Sequence, residues 1–193
     1  MIWLASRSAS RAAMLRAAGV AFEQVVAQVD ERALEAEMEG APPEEVVQAL
    51  AAAKAVAAGV TDDRLVLGSD SLLVVEGRRF DKPDSREEAA EHLRFFSGRV
   101  MELHSAVALV RAGRVFHVEH SFARLKVREL SPAFIETYLD AEWPEVGQCV
   151  GVFRMEGRGV QLFEQVAGDH FTILGMPLIP VLAALREEGE LPA

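Results

Sequence analysis

An aspartate in the middle of an apolar run is the residue of this chain best placed to do chemistry. Asp70 lies in the sequence VLGSDSLLVV (residues 66–75), which predicts a buried strand because it is rich in Val and Leu. An unpaired buried carboxylate is costly. We therefore expect Asp70 to be a general base or metal ligand in a cleft, or else an acid paired with an arginine in the core. A turn is excluded because residues 71–75 continue the strand.

Two of the three lysines in the chain could serve such a carboxylate. Lys54 is the only lysine in a predicted helix of Ala, Val and Leu, and Lys82 follows the strand in the sequence Asp-Lys-Pro. Lys54 can be interpreted as a surface residue whose stem lies along the helix while its ammonium reaches water. The alternative is a point charge that faces a cleft.

The junction between the first predicted strand and the first predicted helix carries Ser6, Ser8 and Arg11. A helix N-terminus presents free N–H groups and a partial positive charge, so serines and an arginine at this point suit phosphate oxygens. The same residues are also explained by ordinary helix capping and a surface arginine.

A glycine-rich segment, GVFRMEGRG (residues 151–159), places Phe153, Arg154 and Glu156 between glycines. Glycine lets a backbone approach a flat ligand, and these three side chains could stack on a base and hydrogen-bond to it. A hairpin turn with surface charges is the simpler alternative.

Strands and helices alternate along the chain, which predicts a mixed α/β fold. Capping residues, helical spacing and terminal glycines predict helices, and runs of β-branched residues between turn signals predict strands. We expect strands at residues 2–6, 21–30 and 66–75, a hairpin over residues 100–127 turning at RAGR, and helices at residues 8–19, 42–59, 85–98 and 130–144 and near the C-terminus.

The composition limits the function classes. The chain has 193 residues, half of them hydrophobic, which favours one globular domain. Its net charge of −10 argues against a general nucleic-acid binder, because phosphate backbones attract excess Lys and Arg.

The single cysteine, Cys149, cannot form an internal disulfide, and there is no apolar run long enough for a membrane span, so we expect a cytoplasmic protein. The five histidines lack zinc spacing, so Mg²⁺ or Mn²⁺ held by acidic residues near phosphate suits the chain better.

In their order along the chain, these segments resemble the Maf family of nucleoside triphosphate pyrophosphatases. The resemblance runs from the N-terminus to about Gly189 and rests on LASRSASRAAML, VDE, AAAKA, GSD, DKP, FFSGR, GVFRMEGRGVQLFE and GDHFTILGMPLIPVL. It implies a single domain over residues 1–193 with an elongated, ITPase-like α/β fold. It also implies a central mixed sheet flanked by helices and a cleft between two lobes.

The resemblance further implies hydrolysis of a nucleoside triphosphate to a monophosphate and pyrophosphate with a divalent cation, Mg²⁺ or Mn²⁺. By position, Asp70 corresponds to the general base that activates water for attack on the α-phosphate. Glu31, together with Asp70, corresponds to the carboxylates near the metal. The residues expected to hold the triphosphate are Ser8, Arg11, Lys54 and Lys82.

The nucleotide is left open among the branches of that family. Positions expected to determine specificity are Ser10, Ser71 and Glu156, with Phe153 and Arg154 beside the last. Glu156 resembles the 7-methyl-GTP branch, since a carboxylate can accept hydrogen bonds from guanine. That branch usually has an aromatic residue and Gln where this chain has Ser10 and Ser71, whereas the pyrimidine branch has Arg and Thr there and Gln at Glu156. The substrate is therefore expected to be 7-methyl-GTP or another modified nucleotide.

Other function classes stay open at this point. A regulatory protein could bind a nucleotide without turnover, although it would not need a base at Asp70. A nucleic-acid-binding regulator of cell division is disfavoured by the net charge, and a house-cleaning purine triphosphatase would give the same products. The expected partner is a small nucleotide rather than a membrane or nucleic acid, and a homodimer is as open as a monomer.

Overall fold

The computed structural model describes residues 1–192, in which seven β-strands and seven α-helices are formed. In chain order the elements are β1 (Ile2–Ala5), α1 (Ala9–Ala17), β2 (Phe22–Gln24), α2 (Glu31–Glu37), α3 (Pro43–Ala57), β3 (Val66–Val75), β4 (Arg78–Phe80), α4 (Arg86–Phe96), β5 (Val100–Arg111), β6 (Arg114–Val127), α5 (Pro132–Glu142), β7 (Phe163–Ala167), α6 (His170–Ile173) and α7 (Leu178–Glu187). Two short 3₁₀ helices, Glu145–Gln148 and Arg158–Leu162, lie between α5 and β7.

The strands form one mixed sheet in the order β2-β1-β3-β5-β6-β7, with β4 paired to β3. β1 is parallel to both β2 and β3, whereas β4 is antiparallel to β3 and β7 is antiparallel to β6. The predicted central mixed sheet with flanking helices is therefore confirmed.

The chain divides into two compact units. The first comprises residues 1–71, 104–121 and 169–193, and the second comprises residues 72–103 and 122–168. The long strands β3, β5 and β6 each begin in one unit and end in the other. The assignment of residues 1–193 to one domain stays a prediction.

The core of the first unit is built from aliphatic side chains of its strands and of helices α1 and α7. Its fully buried members include Leu4, Leu15, Leu67, Leu109 and Leu185. Each buried side chain of this size stabilises the fold by about 1.5–3 kcal/mol relative to its exposed state. This core fixes the carboxyl end of β1 beside β3, which is the edge where parallel strands commonly place a ligand site.

Helix α3 packs against β3 at unusually close range because β3 has a glycine at the contact. A Cβ atom placed on Gly68 would lie 2.2 Å from the Ala51 carbonyl oxygen and 2.8 Å from the Ala55 Cβ. Only a residue without a side chain fits there, and small alanines on α3 complete the contact. The helix backbone is thereby held against the strand that carries Asp70, two residues further along.

The second unit has an aromatic core of its own. Phe80 contacts Phe96 and His92 edge-to-face, with ring centroids 4.8 and 5.1 Å apart, and Phe95 lies 5.1 Å away. Burial lowers the pKa of His92, because the aromatic surroundings disfavour its charged form. The helix predicted over residues 85–98 is present as α4, and its apolar side forms one face of this core.

Most predicted elements are present with small shifts at their ends. The predicted turn of the hairpin occurs at Ala112–Gly113, both with positive φ, as two-residue hairpin turns require. The predicted strand over residues 21–30 is wrong beyond Gln24: one further backbone hydrogen bond joins Val25 to Leu4, and the chain then leaves the sheet. Within residues 1–192, none of the helices has the length and apolar character needed to cross a membrane.

Candidate active site

Lys54 binds two carboxylates in the first unit. Its Nζ donates to Asp70 Oδ1 at 3.0 Å and lies 3.0 Å from Glu31 Oε1. Asp70 is 8% exposed, whereas the side chain of Glu31 is 47% exposed, so the cluster runs from the interior to the surface. Asp70 is therefore a buried acid with a cationic partner, which is Lys54 rather than an arginine. Its role as a base or metal ligand stays a prediction.

The local sequence explains how the three groups meet. Asp70 belongs to the central part of β3, and Lys54 lies on α3 between Ala51 and Ala55, the two residues that contact Gly68. Glu31 is the first residue of α2, whose N-cap is the side chain of Asp30 accepting from the Ala33 N–H. The cap fixes the start of α2, and with it the position of Glu31.

Arg11 is buried and is 9% exposed. Its Nη1 donates to the Ser69 carbonyl at 2.9 Å, and its Nη2 donates to Ser71 Oγ at 2.9 Å. Its Nε donates to the Gly175 carbonyl at 2.8 Å, and Nη1 also donates to Ser6 Oγ at 3.2 Å. Burial lowers the pKa of this guanidinium, and the charges of nearby carboxylates oppose that effect.

The turn after α6 binds Arg11 and the two serines that flank Asp70 in the sequence. The Gly175 carbonyl accepts from Arg11 Nε and from the hydroxyls of Ser69 and Ser71, at 3.3 and 3.2 Å. Gly175 has φ +101°, a conformation that glycine adopts readily and that turns this carbonyl inward. Ser71 Oγ also lies 3.0 Å from Ser105 Oγ.

The two serines of the first helix have structural contacts. Ser8 is the N-cap of α1, and its Oγ accepts from the Arg11 N–H at 3.3 Å. Ser10 Oγ donates to the Leu174 carbonyl at 3.1 Å. Capping by Ser8 is confirmed, but the surface arginine expected with it is wrong, because Arg11 is buried. The predicted roles of Ser8 in phosphate binding and of Ser10 and Ser71 in specificity stay predictions.

The remaining predicted site residues lie in the second unit. Lys82 and Glu156 are exposed, Arg154 is half-buried, and Phe153 is buried with its ring edge-to-face against Phe163 at 4.9 Å. Burial raises the pKa of Cys149, Glu156 adds to this rise, and Lys82 and Arg154 oppose it. The charges of Lys82, Arg154 and Glu156 therefore act on one common point of that unit.

The two acidic residues predicted to lie near a divalent cation are Glu31 and Asp70. No group of three or more His, Cys, Asp and Glu side chains within residues 1–192 could hold a metal ion. Glu31 and Asp70 nevertheless direct carboxylate oxygens at a shared cation, the Lys54 ammonium. Mg²⁺ is commonly held by one or two carboxylates together with substrate phosphates, and this donor pair matches that pattern.

Sequence reasoning missed several residues of this arrangement. Ser69 and Ser105 are fully buried, and Ser105 Oγ donates to the Thr172 carbonyl at 3.0 Å. Gly175 supplies the shared carbonyl. The sequence signal for Ser69 was its place beside Asp70 in an apolar strand, because a buried hydroxyl needs a hydrogen-bond partner.

Comparison with known proteins gives consistent matches over nearly the whole chain. The family model described as Maf-like protein matches residues 1–188. A nucleoside triphosphate pyrophosphatase of Nitrobacter hamburgensis is 47% identical over 187 residues, covering 96% of this chain and 93% of that protein. A 7-methyl-GTP pyrophosphatase of Rhizobium meliloti is 46% identical over 196 residues, covering 100% of this chain and 98% of that protein.

Proposed function

Because the chain belongs to the family of Maf-like proteins, we propose that it hydrolyses a nucleoside triphosphate to a nucleoside monophosphate and pyrophosphate. The observation that carries the proposal is the cluster in which the Lys54 ammonium binds both Asp70 and Glu31. Relatives named as pyrophosphatases match at 46–47% identity over 96–100% of this chain.

Asp70 is the general base of the proposed reaction. It accepts a proton from water as the water oxygen attacks the α-phosphate. The bond between the α-phosphorus and its bridging oxygen breaks, and pyrophosphate leaves. Phosphoryl transfer needs chiefly positioning and charge neutralisation, so one held carboxylate and adjacent cations suffice. Proton transfer to a positioned base contributes roughly 10²–10⁴-fold in rate.

Lys54 neutralises the phosphates in this proposal. Its side chain is 17% exposed, and its ion-pair partners Asp70 and Glu31 are carboxylates of the same cluster, so its ammonium can turn from them to an arriving phosphate. The N-terminus of α1, capped by Ser8, offers backbone N–H groups of the kind that bind phosphate. Lys82, exposed in the second unit, is proposed as a further triphosphate ligand.

Asp70 and Glu31 are proposed to hold the divalent cation, Mg²⁺ or Mn²⁺, when the nucleotide binds. Such a cation supplies neutralisation of charge on the phosphate oxygens. The two carboxylates provide oxygen ligands of the type that these hard cations prefer.

For the nucleotide, we propose 7-methyl-GTP or another modified nucleotide, with Glu156 and Arg154 contacting the base. The support is that Glu156 is exposed and that the curated relatives include a 7-methyl-GTP pyrophosphatase. Phe153 faces the core, so a contribution from its ring to base selection would be made through packing. A cytoplasmic location and assembly as a homodimer stay predictions.

Product analysis tests the reaction. Wild-type protein, Asp70→Asn and the matched control Asp63→Asn are incubated with a panel of nucleoside triphosphates that includes 7-methyl-GTP, with Mg²⁺ or Mn²⁺. Asp63 is a suitable control because its side chain is 93% exposed. Wild type and Asp63→Asn should release monophosphate and pyrophosphate, whereas Asp70→Asn should be slower by roughly 10²–10⁴-fold. Binding without cleavage by wild type would instead support the non-catalytic nucleotide-binding regulator.

A further inference from the structure

We propose that Arg11 is a positioning residue, which holds the two neighbours of Asp70 in place and acts on the reaction through Asp70 rather than by binding phosphate. This inference rests on the proposed function, and it changes the role that the sequence resemblance implied for Arg11. It also assigns Ser71, together with the turn at Gly175, to the same internal support.

The contacts of the guanidinium bracket Asp70 in the sequence. Arg11 binds the carbonyl of Ser69, the residue before Asp70, and the hydroxyl of Ser71, the residue after it, each at 2.9 Å. A rigid planar fork that binds both neighbours fixes the strand backbone at the residue between them. Arg11 thereby helps to set the direction in which the Asp70 side chain projects from the strand.

The guanidinium has little capacity left for a substrate. It carries five N–H groups, and four of them donate to oxygens of Ser6, Ser69, Ser71 and Gly175. If Arg11 turned to a phosphate, at least one buried oxygen would lose its donor, which is unfavourable in the interior. Lys54 differs, because within residues 1–192 its ammonium is bound only to the side-chain carboxylates of Asp70 and Glu31, and the Glu31 side chain is 47% exposed.

The acceptors of Arg11 are themselves held by neighbouring groups. Ser71 Oγ lies 3.0 Å from Ser105 Oγ, and Ser105 donates to the Thr172 carbonyl at 3.0 Å. The hydroxyls of Ser69 and Ser71 share the Gly175 carbonyl with Arg11. These contacts form one partly buried network in which every named group has a partner, and such networks make a site more rigid.

A separation of turnover from binding tests this role. The variants are Arg11→Lys, which keeps the charge and loses the fork, and Ser71→Ala, which removes one acceptor. Arg16→Lys is the matched control, since Arg16 is an exposed arginine on the same helix. For each protein, kcat and KM are measured with the best triphosphate, and Kd is measured with its non-hydrolysable α,β-methylene analogue.

We expect kcat to fall about 100-fold in Arg11→Lys, because a displacement of about 1 Å at a reacting group has an effect of this size. Kd should stay within about threefold of wild type, since binding energy and turnover respond to different contacts. Ser71→Ala should show the same split with a smaller loss of kcat, and Arg16→Lys should match wild type. If Arg11→Lys does not fold, as judged by circular dichroism, Ser71→Ala alone decides the question.

Two outcomes overturn the inference, and they are distinguishable. A rise in the analogue Kd of tenfold or more in Arg11→Lys or Ser71→Ala, whatever happens to kcat, shows that this network binds phosphate. Unchanged kcat in both variants shows that Asp70 does not depend on it. Failure of wild type to cleave any triphosphate overturns the proposed function first, and this inference with it.

Discussion

Replacement of Gly68 by alanine should disable the site without touching any residue that is expected to bind substrate. The added Cβ would lie 2.2 Å from the Ala51 carbonyl oxygen and 2.7 Å from the Ala55 nitrogen, whereas ordinary contacts begin at 3.4 Å. Both contacts are with the backbone of α3, so no side chain can rotate away. Relief of the clash requires α3 to move from β3 by about 1 Å, a shift of the size that lowers activity when it reaches reacting groups.

This displacement has two measurable consequences. Overpacking of this kind destabilises a protein by about 1–3 kcal/mol, which for a chain of this length lowers Tm by about 2–12 °C. The movement also lengthens the 3.0 Å contact between Lys54 and Asp70, so kcat should fall by about 100-fold. The assays are thermal unfolding followed by circular dichroism and release of pyrophosphate measured well below Tm.

Gly189→Ala separates loss of geometry from loss of stability. Gly189 follows α7 with φ +74° and has open space around its Cα, so alanine there adds backbone strain of about 1 kcal/mol and no clash. It should therefore lower Tm and leave kcat unchanged. The reasoning is refuted if Gly68→Ala retains wild-type kcat, or if Gly189→Ala loses as much activity as Gly68→Ala does.

Two further substitutions test the charge of the site and the pH dependence of stability. Lys54→Met should weaken binding of the non-hydrolysable analogue by at least about tenfold, the usual effect of removing a charged hydrogen-bond donor, and an unchanged Kd by calorimetry would contradict phosphate binding by Lys54. Because burial lowers the pKa of His92, the unfolded chain binds more protons, so this residue contributes to the loss of stability as pH falls below about 6.5. The charges that act on His92 are Arg78, Asp81, Glu88 and Glu91. His92→Gln should reduce the decrease in unfolding free energy between about pH 7 and pH 5. If urea titrations give the variant the same pH dependence of unfolding free energy as wild type, His92 does not make this contribution.

The positions of Asp70 and Lys54 on their elements were predictable, but their contact was not. The apolar run and the alanine-rich stretch indicate a strand and a helix from local spacing alone. Their contact depends on how closely the helix approaches the strand, and that distance is set by Gly68 against Ala51. A glycine in a strand signals such close approach only in general terms, without naming the partner.

The start of α2 shows a local signal that was available and overlooked. The residues after Val29 consist of an N-capping aspartate followed by Glu, Arg, Ala and Leu, which are good helix formers. The alternation before them favoured a strand through Asp30, and the structure ends that strand at Gln24. The function of Glu31 was inferred from resemblance, and its contact with Lys54 follows from the helix that was missed.

The role of Arg11 illustrates what no local pattern contains. A serine-rich strand-to-helix junction indicates capping or phosphate binding. The structure shows capping by Ser8, and phosphate binding there stays a prediction. The carbonyl that Arg11 binds at Gly175 belongs to a turn near the other end of the chain. Only the folded packing of the first unit brings these two segments together.

That same contact between Arg11 and Gly175 bears on the order of folding. The two residues are 164 positions apart, so closing the loop between them carries a large entropy cost that local helices and hairpins do not have. Contacts of such high sequence separation slow folding and depend on structure formed earlier. The network around Asp70 is therefore expected to be completed late, after β3 and the hairpin of β5 and β6 are in place. The chain would then be able to cleave a nucleoside triphosphate only once the first unit is complete, and partly folded chains would be inactive.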